Sequence, residues 1–175
     1  MQQEVGSART LVVVRHAKAE AVAASDHERG LTERGRADAA ALGAWLADAG
    51  VVPDHAVVSD AARTLATWAE LADAGGWDTD CDASAALYDA SPDAALDLLR
   101  ECPAQARTVV VIGHNPTMGY LAEVLDDGDG DDDAITALVT AGFPPAAALV
   151  LDVAAEWADL AESGATVRAF HVGRG

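Results

Sequence analysis

The sequence predicts a three-layer α/β/α sandwich built on a mainly parallel central sheet. Two observations carry this expectation. Short, continuously apolar, β-branched runs recur at 10–14 (TLVVV), 56–58 (AVV) and 108–112 (TVVVI), the pattern of strands buried on both faces. Segments with helix start signals and apolar residues spaced for one helical face lie between them. Strands alternating with helices pack as a sheet covered on both sides. A chain of 175 residues fits one domain with one real core. That domain is expected over 10–175. Residues 1–9 are expected to form a flexible polar leader without the apolar stretch of a signal peptide.

The first strand stops at Arg15-His16, and 17–31 has turn character, carrying Asp26, Glu28 and Arg29. Thr32 is placed to cap a helix over 33–49. Leu42, Trp45, Leu46 and Ala49 share its buried face, and Gly50 closes it. The second strand ends at Ser59. Asp60 is positioned to cap a helix over 61–74 with Arg63 in its first turn, and Gly75-Gly76 breaks it. Ser91-Pro92-Asp93 supplies a cap, a first-position proline and a first-turn acid for a helix reaching about residue 101. The third strand ends at Gly113-His114, and Asn115-Pro116 should cap and start a helix through Leu125. The acidic run 126–133 (DDGDGDDD) lacks the closing glutamate of a calcium loop and reads as a solvated surface loop. Late strands are expected over 147–153 and 165–171, with a turn or short helix over 154–163.

The formal net charge is -18, from 29 acids against 11 Lys plus Arg. Such a surface repels nucleic acid and anionic lipid, which excludes both as expected partners. A phosphate site here has to be a local cationic pocket in an acidic field. The single lysine, Lys18, falls beside Arg15-His16. Cys81 and Cys102 have no metal-ligand or CxxC spacing and read as reduced structural thiols. No apolar run approaches membrane-spanning length. A cytoplasmic monomer is expected.

In open α/β sheets, sites form at the carboxyl ends of strands. Here those ends deliver Arg15 and His16, then Ser59 with Arg63 one helical turn on, then His114. Two histidines and two arginines suit a phosphoryl group. Arginine stays charged and its fork matches two phosphate oxygens. A neutral histidine nitrogen can attack phosphorus and form a covalent intermediate. A second histidine, protonated, can stabilise the charge on the transferring group. Neither metal nor cofactor is needed for this chemistry. Taken singly, each residue also fits a structural histidine or a surface ion pair.

Arg15-His16-Ala17-Lys18 after an apolar strand resembles the RHG-type signature of the histidine phosphatase superfamily, which also includes phosphoglycerate mutases. The closer similarity is to its small SixA-like phosphohistidine phosphatase branch. Residues 26–35 (DHERGLTERG) resemble D-x-x-R-x-L-T-x-x-G, and 59–67 (SDAARTLAT) resemble S-x-x-x-R-x-x-x-T. Residues 87–92 (LYDASP), 111–116 (VIGHNP) and 140–142 (TAG) resemble LYEASP, GHNP and a late TAG element. The ordered set covers nearly the whole chain beyond residue 9. It implies a phosphoglycerate mutase-like fold without a large cap insertion.

It also implies that His16 is the phosphorylated nucleophile and that Arg15, Arg63 and His114 complete the phosphate pocket. Arg29 and Asn115 become substrate-side contacts. Ala17 stands for the glycine of RHG, Asp60 for a usual proline and Ala66 for a usual glutamine; GHNP in place of GHGG argues against a mutase. Larger members carry an acidic residue in an insertion that this chain is too short to hold. Asp89 is the nearest candidate acid and Asp26 a lesser one. A weak acid matters less for phosphohistidine, whose P–N bond is labile, than for alkyl phosphates. The expected substrate is therefore a phosphorylated protein carrying phosphohistidine. The alternatives are a small phosphorylated metabolite and a silent phosphate-binding module. A His/Asp metal protein is disfavoured by the absence of ligand spacing.

Overall fold

The computed structural model describes residues 8–175. The expected leader therefore falls mostly outside the described residues, on 1–7. Arg9 already belongs to the first strand, β1 (Arg9–Arg15). The elements that follow are α1 (Glu33–Asp48), β2 (His55–Ser59), α2 (Ala62–Gly75), β3 (Cys81–Ser84), α3 (Pro92–Arg100), β4 (Thr108–Gly113), α4 (Thr117–Leu125), α5 (Asp132–Ala141), β5 (Ala147–Val153) and β6 (Ala165–Val172). One six-stranded sheet has the order β3-β2-β4-β1-β5-β6. The β1–β4, β2–β4 and β2–β3 pairs are parallel, and the β1–β5 and β5–β6 pairs are antiparallel. Only β5 runs against the other strands, so the sheet is mainly parallel, as the sequence predicts. No helix among the described residues is long and apolar enough to cross a membrane.

Strand alternation divides the core into two layers. Leu11, Val13, Val109 and Val111 face Leu96, Leu99, Met118, Leu121 and Leu125 from α3 and α4. Val12, Val14, Val110 and Ile112 face Leu42, Leu46, Trp68 and Leu71 from α1 and α2. Both faces of the central strands are thus buried, which is why they read as continuous apolar runs. The α1–α2 layer is closely packed. A Cβ on Gly43 would stand 2.4 Å from the Leu71 carbonyl oxygen, and one on Gly35 would stand 2.1 Å from that of Lys18. The Gly35 approach lets the start of α1 lie against the loop after β1, where the Thr32 N–H reaches the Lys18 carbonyl.

Several local expectations hold. The Thr32 side chain accepts from the Gly35 N–H, and the Ser91 side chain from the Ala94 N–H. Gly50, at φ +82, turns the chain out of α1. The segment 154–163 contains a 3₁₀ turn, Trp157–Asp159. Burial pushes the Cys102 thiol up to about 11 and raises that of Cys81, so neither is a reactive thiolate at neutral pH.

Other expectations need correction. Asp60 does not cap α2. The N-cap is Ala61 without a side-chain bond, and the Asp60 carboxylate instead pairs with His27 Nε2 at 2.8 Å. The cap of α4 falls on Pro116, and Asn115 Oδ1 accepts from the Gly119 N–H inside the helix. The short edge strand β3 (CDAS) was not expected, because it lacks an apolar run; pairing with β2 defines it. Nor was α5. The acidic run is a loop only to Asp131, whose side chain caps α5 by accepting from Ala134 N–H, with Asp132 and Asp133 in the first turn. Carboxylates there favour the helix through its dipole.

A Gly43→Val substitution tests the close α1–α2 approach. It should lower the urea midpoint at unchanged m-value by the equivalent of about 1–3 kcal/mol, the usual cost of overpacking.

Candidate active site

Strand register builds the site. Arg15 pairs with Gly113 across β1 and β4, so His16 and His114 each stand one residue beyond the paired ends. The His16 N–H completes the junction by donating to the Gly113 carbonyl at 3.1 Å. The two rings lie 5.2 Å apart between centroids. On the other side of β4, Val58 pairs with Ile112. Ser59 therefore comes level with Gly113, and its Oγ meets His114 Nε2 at 2.7 Å. Arg63, in the first turn of α2, is 6% exposed. Its neighbour one turn on, Thr67, ties α2 to the loop after β1: Thr67 Oγ1 donates to the Arg63 carbonyl at 2.7 Å and accepts from the Ala17 N–H at 3.0 Å.

His16 Nδ1 lies 2.7 Å from the Ala17 carbonyl. A carbonyl only accepts, so Nδ1 carries the proton, and in the neutral ring Nε2 holds the free lone pair. Burial, then the charges of Arg63, Arg15 and Arg29, push His16 down to about 4 against the opposing effect of the Ala17 hydrogen bond. Burial, His16 and Arg63 push His114 down to about 3, with Asp26 opposing. Both shifts favour the neutral rings, because a cation on either would be desolvated beside two arginines.

Arg63 is held by Asp26: Nη1 donates to the Asp26 carbonyl at 2.8 Å and Nη2 to its carboxylate at 3.1 Å. The same carboxylate accepts from Arg29 Nε at 3.0 Å and from the Tyr88 hydroxyl. The Tyr88 and Arg29 hydrogen bonds, with the Arg63 charge, hold the Asp26 carboxyl well below the usual range. It is an anion, unsuited to act as an acid. Arg15 Nη1 donates to the Phe143 carbonyl at 3.1 Å, and Asn115 Nδ2 donates to that carbonyl at 2.7 Å.

Among the described residues, four buried side-chain polar atoms have no hydrogen-bond partner. Three are Arg15 Nε, Arg63 Nε and His114 Nδ1; the fourth, Arg9 Nε, belongs to the far end of β1. Buried polar groups are ordinarily paired, and these three unpaired atoms come from residues gathered at the strand ends. A cavity of about 480 Å³ is lined by Asp26, Arg63, Tyr88, Asp89, His114 and Asn115, among others. No group of three or more His, Cys, Asp or Glu side chains is arranged to hold a metal among the described residues.

The structure thus brings Arg15, His16, Arg63 and His114 together. Arg29 reaches the edge through Asp26. Asn115 lines the cavity, with its amide engaged by Phe143 and Gly119. Asp89 is exposed on the cavity wall. Tyr88 escaped notice in the sequence although it lies inside LYDASP; it packs edge-on against His114 at 5.4 Å and with its ring 5.9 Å from the Arg63 guanidinium carbon. The Phe143 carbonyl carries no sequence signal, because any residue supplies one.

Known proteins resemble this chain in sequence and fold. The family description "histidine phosphatase superfamily (branch 1)" matches residues 11–91. A provisionally assigned phosphohistidine phosphatase SixA from Nakamurella multipartitia is 32% identical, with a TM-score of 0.78 over 96% of this chain and 98% of its own. A second one, from Agrobacterium tumefaciens, is 31% identical, with a TM-score of 0.72 over 83% of this chain and 92% of its own. An uncharacterised protein of Mycobacterium tuberculosis (strain ATCC 25618 / H37Rv) is 33% identical over 162 residues, 92% of this chain and all of its own length. The chain belongs to the histidine phosphatase superfamily, on its SixA-like branch.

Nitrogen-15 NMR of the imidazoles tests the electrostatics. His16 should show the Nδ1–H tautomer and stay neutral until the pH falls to about 4, and His114 until about 3. Titration of either ring near the ordinary value of about 6.5 would contradict the burial argument.

Proposed function

We propose that this chain is a metal-independent phosphatase that works through a phosphohistidine on His16 and removes phosphate from phosphohistidine in a protein. The observation that carries the reading is the His16 tautomer: Nδ1–H is committed to the Ala17 carbonyl, and Nε2 keeps its lone pair beside two arginines and His114. Nε2 attacks phosphorus, the N–P bond forms, and the bond to the leaving group breaks. The phosphorylated ring is cationic, and the Ala17 carbonyl stabilises its Nδ1–H. Water then attacks phosphorus, releasing inorganic phosphate and restoring neutral His16.

Arg15 and Arg63 bind the phosphoryl oxygens through their guanidinium forks. In this reading the Ser59 hydroxyl donates to His114 Nε2, 2.7 Å away, which places the ring proton on Nδ1, the buried orphan. Neutral His114 then serves as a hydrogen-bond donor to the transferring group, a preorganised dipole rather than a charge. Arg29 and Asn115 are substrate-side contacts. Asp89, on the cavity wall, is the group placed to carry a proton to the leaving group, since the Asp26 carboxylate is engaged by Arg63, Arg29 and Tyr88. Weak acid assistance suits a labile P–N bond better than an alkyl ester. The two provisionally assigned SixA proteins support the same substrate class.

His16→Ala should lower hydrolysis of an aryl phosphate and of a phosphohistidine peptide by about a thousandfold or more, with wild-type rates unchanged by chelator. Activity surviving in the variant would mean a different nucleophile, and activity lost to chelator would mean a metal. Because the reactive form is neutral His16, its protonation should reduce kcat/KM only as the pH falls through about 4. A pH profile corrected for ionisation of the substrate checks this; an enzyme limb near 6.5 would contradict it.

A further inference from the structure

A second concavity adjoins the phosphate site. It has a volume of about 480 Å³ and lies between α4 and α5. Tyr120 and Glu123 of α4 form one wall, Leu138 and Val139 of α5 the other, with Phe143 and Asp126 also lining it. Asn115, Pro116 and Tyr120 line this groove and the phosphate cavity alike. Phe143 joins the two more tightly: its carbonyl receives Arg15 and Asn115, while the residue itself lines the groove. Anything seated in the groove is therefore beside the phosphoryl group.

We infer that this groove is the docking site for the phosphorylated protein, taking an apolar side chain next to the phosphorylated residue, with a basic residue beside it. The inference rests on the phosphohistidine reading above. Three observations carry it. The walls are apolar yet outward-facing, with Val139 78% and Tyr120 52% exposed. A metabolite pocket would surround its ligand, whereas exposed apolar walls await a surface that covers them. The groove is continuous with the catalytic cavity, so the same chain can occupy both. The charged residues lining it are Glu123 and Asp126, both acidic, on a chain of net charge -18. A partner segment with lysine or arginine is attracted there, and an acidic one is repelled.

The test uses two synthetic 12-residue peptides with a central phosphohistidine. They differ only in one nearby Leu-Lys pair replaced by Ser-Glu. A small aryl phosphate serves as the substrate too short to reach the groove. Wild-type kcat/KM should favour the Leu-Lys peptide by about tenfold or more, the discrimination one apolar side chain gives in a fitted pocket. Val139→Asn, a neutral polar change at an exposed position, should bring the ratio closer to one while aryl phosphate hydrolysis stays within about twofold. Glu123→Lys should weaken the charge part of the preference. A wild-type ratio near one, or a ratio untouched by both variants, overturns the proposal. A strong preference among aryl phosphates for those with long apolar tails, without peptide discrimination, also overturns it, in favour of a metabolite. Anisotropy of the labelled peptides on the His16→Ala variant separates the two readings. Preferential binding of Leu-Lys with no wild-type turnover of either peptide supports the groove and defeats the phosphohistidine reading. Equal binding defeats the groove.

Discussion

The parallel pairing of β1 with β4 is the constraint on which the rest depends. Arg15 opposite Gly113 makes the chain leave both strands at one level, and both strands are followed at once by a histidine. A slip of one residue would turn Leu11 and Val13 toward the α1–α2 side, and Val12 and Val14 toward the other. A slip of two would separate the histidines by about 6–7 Å along the strand. The register is held because both faces of these strands are buried against helices. Packing that looks remote from the chemistry therefore sets the distance between the two rings.

Around that junction the chain solves an electrostatic problem. Its surface is strongly acidic, yet two guanidinium groups gather at the strand ends. Arg63 is held by the carboxylate and carbonyl of Asp26, and Arg15 by the Phe143 carbonyl. Each keeps its Nε unpaired and buried. The arginines are thus positioned in advance while retaining unmet hydrogen-bonding capacity. Their charge, added to burial, disfavours the cationic form of both histidines. Neutrality leaves a lone pair on His16, which a cationic ring would lack.

Asp26 connects this core to the loop after β1. It draws together Arg63, Arg29 and Tyr88, three residues from separate parts of the chain. Phe143 does the same on the opposite side through one main-chain carbonyl. These two anchors bind the loops to the strand ends, and the second also relates the phosphate cavity to the groove between α4 and α5.

The sequence by itself determined the layered fold and the parallel strands, and it singled out Arg15, His16, Arg63 and His114 at the strand ends that the structure brings together. Each of these was local: an apolar run that stops at a polar residue, or a cap followed by a periodic helix. The edge strand β3 was invisible because its four residues are defined by pairing with β2 rather than by their own pattern. Helix α5 was hidden because an acidic run reads as loop until Asp131 is seen bonding the amide of Ala134. Only the tertiary structure decided that Asp26 is tethered to Arg63, Arg29 and Tyr88, that Asp60 binds His27 instead of capping α2, and that His114 is buried against His16 and Ser59. The reason is common to all three. Protonation and hydrogen-bond partners depend on which groups burial brings within a few ångströms, and those groups are dozens of residues apart in the chain.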